Sequence, residues 1–182
     1  MVIYIIFGVA AVILIYFLIT YNSFIRLKNT IKEAFSTMDV YLKKRWDLIP
    51  NLVEAVKKYA KHESSVLENV VALRNMSYDK MSPGDKIETN EKLGLGLSKL
   101  MAISENYPDL KASRNFSELN TQLVKIEDDI ANARKYYNAV VKKMNTQVEM
   151  FPSNIIAGLF GFKQFPMFEV QASERDSVRI EL

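Results

Sequence analysis

From Val2 to Ile19 every position is apolar or aromatic except Gly8, and the first charged side chain met after Met1 is Arg26. At about 1.5 Å of rise per residue this run reaches roughly 27 Å, and Thr20 to Phe24 carry a helix on into the headgroups. A buried helix of a soluble protein usually keeps a polar stripe, and a cleaved secretory signal carries Lys or Arg ahead of its apolar core. Neither feature is present, so the pattern predicts a membrane-spanning helix. Lys and Arg are absent before the run, whereas Arg26, Lys28 and Lys32 follow it closely. By the positive-inside rule the short N-terminus is expected outside and the rest of the chain in the cytoplasm, as a single-pass membrane protein.

Beyond the span the apolar positions change period. Phe24, Leu27, Ile31, Phe35, Met38, Leu42 and Trp46 recur at spacings of three and four, which predicts one amphipathic helix continuing out of the membrane. Pro50 lacks an N–H and its ring opposes the carbonyl of Trp46, so an end or a kink is expected around Asp47 to Ile49. The pattern alone leaves a kink in one long helix and a reversal between two equally open. A second helix is expected along Leu52, Val56, Tyr59, Val66, Val70 and Leu73, with a polar interruption at His62 and Glu63. Ser82, Pro83 and Gly84 mark a loop, with Asp85 capping a third helix that runs to Asn106. Gly94 and Gly96 weaken that helix by about 1 kcal/mol each against Ala and point to a close backbone approach.

The most regular seam is Phe116, Leu119, Leu123, Ile126, Ile130, Ala133, Tyr137, Val140 and Met144, shifting by one to Val148. It predicts a long helix in a coiled-coil-like bundle, ended by Phe151 and Pro152. Such a seam fits burial within one chain and sharing between copies alike. The reading is therefore all-α: a transmembrane anchor at 1–22, a long antiparallel helical bundle in the cytoplasm at 23–152, and a Phe-rich C-terminal cap and tail at 153–182. Phe160, Phe162, Phe165 and Phe168 serve either as a cap on the bundle's end or as a contact for a partner or a second copy. Val178, Ile180 and Leu182 alternate with polar residues, a weak strand signal that competes with a frayed terminus.

Composition narrows the chemistry. The 182 residues hold 24 Lys and Arg against 21 Asp and Glu, a net +3, with no Cys and a single His. Nucleic-acid binding through a strongly basic surface, disulfides, thiolate zinc sites and a Cys nucleophile are all disfavoured. His62 has no second His one helical turn away for a zinc-protease site. The segment GLGLSK at 94–99 has neither phosphate-loop spacing nor a preceding strand. Glu127, Asp128 and Asp129 are consecutive and fan around a helix, which reads as a solvated face. Tyr136 and Tyr137 divide between surface and seam. Arg26 to Arg45 carries a local +4, six basic residues against Glu33 and Asp39. Arg26, Lys28 and Lys32 are the candidates for contact with the membrane surface, and Lys43 to Arg45 read as a solvated helix face. No catalytic residue, cofactor or metal is expected.

Several stretches together resemble the LemA family of membrane-anchored bacterial proteins. They are Tyr21 and Asn22 after the span, EAFSTMDVYLKKRWDLIPNLVEAVKKYAKHE from Glu33 to Glu63, YPDLKASRNFSELNTQLVKIEDDIANARKYYN from Tyr107 to Asn138, and FPSNIIAGLFGF from Phe151 to Phe162. Trp46 stands where that family often has His, which removes a second histidine. The resemblance implies an N-terminal anchor with a short outer end, a cytoplasmic antiparallel bundle, and work in envelope or membrane-associated processes. The function expected is a non-enzymatic scaffold that self-associates in the lipid bilayer as a homo-oligomer and organises or remodels the envelope membrane. The alternative is an adaptor or regulator of an HtpX-like membrane metalloprotease or another envelope complex.

Overall fold

The computed structural model describes residues 1–60, 63–74 and 76–168. They form an all-α chain with no strand among the described residues. The helices are α1 (Val2–Tyr59), α2 (Ser64–Arg74), α3 (Pro83–Glu105), α4 (Pro108–Lys111), α5 (Arg114–Glu149) and α6 (Ser153–Phe160), with a 3-10 turn at Tyr78–Lys80. His62 and the terminal segment holding Val178, Ile180 and Leu182 lie outside the described residues. The chain divides into two compact units, residues 1–32 with 136–182, and residues 33–135.

In the unit formed by residues 33–135, the α1 seam expected at Met38, Leu42 and Trp46 is buried. Pro50 does not end α1, which continues to Tyr59. The physical reason is burial on both flanks. A proline inside a helix costs about 3 kcal/mol, whereas Leu48, Ile49, Leu52 and Val56 are all buried and contribute roughly 1.5–3 kcal/mol apiece. The helix expected from Leu52 to Leu73 is instead divided, because α1 stops at Tyr59 and α2 starts at Ser64.

Helix α3 begins with a capping box. Asp85 N–H donates to Ser82 Oγ at 3.2 Å, and Ser82 N–H donates to Asp85 Oδ2 at 3.1 Å. Asp85 thus reciprocates the cap that Ser82 supplies, and its hydrogen bonds from Ser82 hold the carboxyl below its ordinary pKa. Ile87, Leu93, Leu97 and Leu100 form the buried stripe of α3. Gly96 provides the expected close approach: a Cβ there would fall 2.9 Å from Val70 Cγ2 on α2. Gly94 is less constrained, with Arg45 Nη1 at 3.7 Å from the same construction. On α5, Phe116, Leu123 and Ile130 continue the buried seam of this unit.

The other unit holds the apolar start of α1 and the end of α5. The run from Met1 to Ile19 is exposed almost throughout, and it forms the part of α1 long and apolar enough to cross a membrane. Phe24 and Ile31 are buried, as are Tyr137, Val140, Val141 and Met144. Ser23 Oγ donates to Gln147 Oε1 at 3.2 Å, which ties the two helices together. A cis Phe151–Pro152 peptide leads into α6. Gly161 closes α6 in the left-handed region at φ 68°, a conformation that glycine adopts without the Cβ penalty.

Candidate membrane-contact site

The site is assembled where the apolar run of α1 ends. Ser153, at the start of α6, shares a groove with Tyr16 and Thr20. Phe160, at its other end, sets its ring edge-on to Phe17 at 5.5 Å and to Tyr21 at 4.8 Å between centroids. Ser153 is bonded to the end of α5 and Phe160 packs on Phe17 and Tyr21, so α6 leads from the end of α5 across to α1 at the end of its apolar run.

The sequence of α6, SNIIAGLF, supplies an uncharged helix with two distinct faces. Ser153, Ile156 and Ala157 are buried, while Ile155 and Leu159 are 55% and 70% exposed. Phe151, just ahead of α6, is also exposed, so the open face is mostly apolar, with Asn154 its one polar side chain. Ser153 Oγ donates to the carbonyls of Gln147 (2.7 Å) and Met150 (2.9 Å), satisfying acceptors at the end of α5.

The phenylalanines singled out from the sequence take different places. Phe160 remains 48% exposed beside Tyr21, and Phe162 stacks on Phe24 at 4.6 Å. Phe168 is buried and meets Tyr137 edge-on. Phe165 is half-buried, its backbone held by α5: Phe165 N–H donates to Asn145 Oδ1, and Asn145 Nδ2 donates to Phe165 O, at 2.9 and 3.0 Å. Asn138 repeats this pair with Phe168, both at 2.9 Å. Tyr137 Oη adds a bond to Pro166 O at 3.0 Å, and burial pushes its phenol pKa up. The segment after Gly161 is thus a strap running back along α5, its backbone paired with asparagine side chains one heptad apart.

Arg26, Lys28 and Lys32 are exposed on α1, a few turns beyond the apolar run. With Lys142, Lys143 and Lys163 they give this unit six basic residues against one acid, Glu149, among its described residues, a net +5. Over its full sequence, 1–32 and 136–182, the unit has eight basic residues against five acidic ones, +3, so the chain's whole net charge of +3 falls in the unit that bears the apolar helix and residues 33–135 are neutral.

The other unit holds two polar clusters, and both tie helices together. Arg45 is only 1% exposed. Its Nη1 donates to both oxygens of Glu127 at 2.7 and 2.9 Å, and Nη2 donates to Asn90 O at 2.6 Å and to Asn90 Oδ1. Arg45 is therefore not part of a solvated face, and Glu127 is not a free member of the acidic trio. Burial pulls the Arg45 pKa down, against the attraction of Glu127, which raises it. In the second cluster Tyr78 Oη donates to Asp39 Oδ1 at 2.6 Å and Lys86 Nζ donates to Asp39 Oδ2 at 2.7 Å. The Tyr78 ring lies 5.2 Å from that of Trp46 and 4.5 Å from Lys86 Nζ. Burial, then the bond to Asp39, pushes the Tyr78 phenol far above its ordinary pKa. These groups bind one another across helices rather than converging on an open cavity. Gly94 to Lys99 is helical, within α3. Among the described residues no three His, Cys, Asp or Glu side chains gather as a metal site.

An all-α chain whose first helix opens on an apolar run of membrane-spanning length, with a short helix crossing the end of that run, is a helical protein of the membrane-anchored class. Within that class it belongs to the LemA family, whose family model matches residues 34–182. It is similar to magnetosome protein MamQ 2 of Paramagnetospirillum magneticum, with 26% identity covering 84% of this chain and 65% of that protein. To magnetosome protein MamQ of Magnetospirillum gryphiswaldense it is 28% identical, covering 83% of this chain and 65% of the relative. To protein LemA of Metamycoplasma hominis it is 26% identical, covering 86% of this chain and 72% of the relative. The chain thus spans just under two thirds of the length of the magnetosome relatives.

Proposed function

We propose that this chain is a non-enzymatic, membrane-anchored scaffold that self-associates in the bilayer and organises or remodels the envelope membrane. The observation that carries the reading is α6, which crosses the end of the apolar run with Ile155 and Leu159 open. A helix placed there buries its apolar face among the acyl chains just below the headgroups of one leaflet. Area added to one leaflet alone favours curvature, and several copies in one bilayer add their effects. Tethering in two dimensions also raises the effective concentration at which copies meet. The net +3 of the same unit suits a leaflet of anionic lipid. The polar clusters at Arg45 and Tyr78 support a structural role, since their bonds are spent between helices.

The test uses full-length protein reconstituted into vesicles of phosphatidylglycerol and phosphatidylcholine and imaged by electron cryomicroscopy. Vesicle shape is expected to change with protein density. The double variant Ile155→Glu, Leu159→Glu should stay membrane-bound through α1 yet leave vesicles round. Round vesicles with the unaltered protein, or equal deformation by the variant, would contradict the reading.

A further inference from the structure

A groove of about 530 Å3 runs between α1 and α5 at the end of the apolar run. One wall is Tyr16 and Thr20 of α1, and the other is Ala139, Lys142, Lys143, Thr146, Gln147 and Met150 of α5, closed by Ser153 of α6. Its size is within the range of small-molecule sites. The two helices run antiparallel here, because Ser23 meets Gln147 while the chain that follows α5 brings Phe160 onto the lower-numbered Phe17 and Tyr21 of α1. Lys142 and Lys143 are therefore more than one turn further from the apolar run than Met150. The groove grades from apolar and hydroxyl-bearing at the membrane end to cationic at the outer end.

The cationic end has charge to offer. Both lysines are exposed, and neither has an ion-pair partner among the described residues. Glu149, the acid among the unit's described residues, is engaged instead by Gln164 Nε2 at 2.5 Å. Gln147 accepts from Ser23 through Oε1, which leaves its Nε2 as a donor.

We propose that this groove binds one anionic phospholipid from the leaflet in which α6 lies. The phosphate and headgroup sit at Lys142 and Lys143, and the start of an acyl chain passes Met150 and Thr20 toward the hydrocarbon core. An ammonium opposite a phosphate forms charge-assisted hydrogen bonds, and the apolar end excludes a ligand that is all charge. The proposal rests on the membrane placement argued above and adds to it a discrete lipid site.

The test is native mass spectrometry of the full-length protein in mild detergent, titrated separately with phosphatidylglycerol, phosphatidylcholine and chain-free glycerol phosphate. One equivalent of phosphatidylglycerol is expected to be retained, at about tenfold higher affinity than phosphatidylcholine, with glycerol phosphate not retained. Lys142→Gln with Lys143→Gln should reduce phosphatidylglycerol to the level of phosphatidylcholine. Ala139→Trp, which leaves both charges and fills the groove, should weaken both lipids. Circular dichroism confirms that these exposed-site variants fold. Equal retention of the two lipids, retention of glycerol phosphate, or undiminished phosphatidylglycerol binding by the double lysine variant would overturn the proposal. The same spectra report subunit number, so the lipid site can stand while the scaffold reading fails, or the reverse.

Discussion

At the scale of single residues, the most consequential group is Arg45, a charge buried among helices and neutralised by Glu127. Removing one partner of a buried pair costs more than the pair contributes, because the remaining charge is left without compensation. The Glu127 side chain is 39% exposed, so water moderates that penalty. Glu127→Gln is expected to lower stability by about 2 kcal/mol in chemical denaturation, and a change under about 0.5 kcal/mol would show that solvent already screens the pair. Local reading does not reach this pair, since Lys43, Lys44 and Arg45 look alike along the chain and the partner lies 82 positions away. Gly96 was more legible, because a glycine inside an apolar helical stripe costs stability unless something must come close. Val70 is that neighbour.

At the scale of elements, the helical periods were legible because a spacing of three and four is a local property of the chain. Met38, Leu42, Ile130 and Met144 are buried where the pattern places them. Pro50 misleads because its effect on the backbone is local, whereas the burial of Ile49, Leu52 and Val56 that outweighs it is tertiary. The strap after Gly161 could not be read as an element, for it has no period of its own and borrows its hydrogen bonds from Asn138 and Asn145. Those asparagines replace the backbone partner that a neighbouring strand would supply, and an unpaired buried backbone group costs about 1–3 kcal/mol. Asn138→Ala with Asn145→Ala should therefore speed amide exchange at Phe165 and Phe168 by about tenfold or more while leaving the core of α5 protected. Unchanged exchange at those two amides would mean that ring packing on Tyr137 and Phe24 holds the strap without them.

At the scale of the whole molecule, the chain concentrates positive charge and exposed apolar surface in the same unit, which a protein free in water has no reason to do. The apolar run announces the anchor in the sequence, but the crossing of α6 over its end depends on contacts between residues more than a hundred positions apart. The proposed self-association runs through that membrane-bearing unit. The most direct measurement is the mass of the full-length protein extracted in mild detergent, by light scattering, beside a form lacking residues 1–22. A defined assembly of many copies that dissociates when those residues are removed is expected. A monomer in both forms, at the concentration the protein reaches in its membrane, would contradict it.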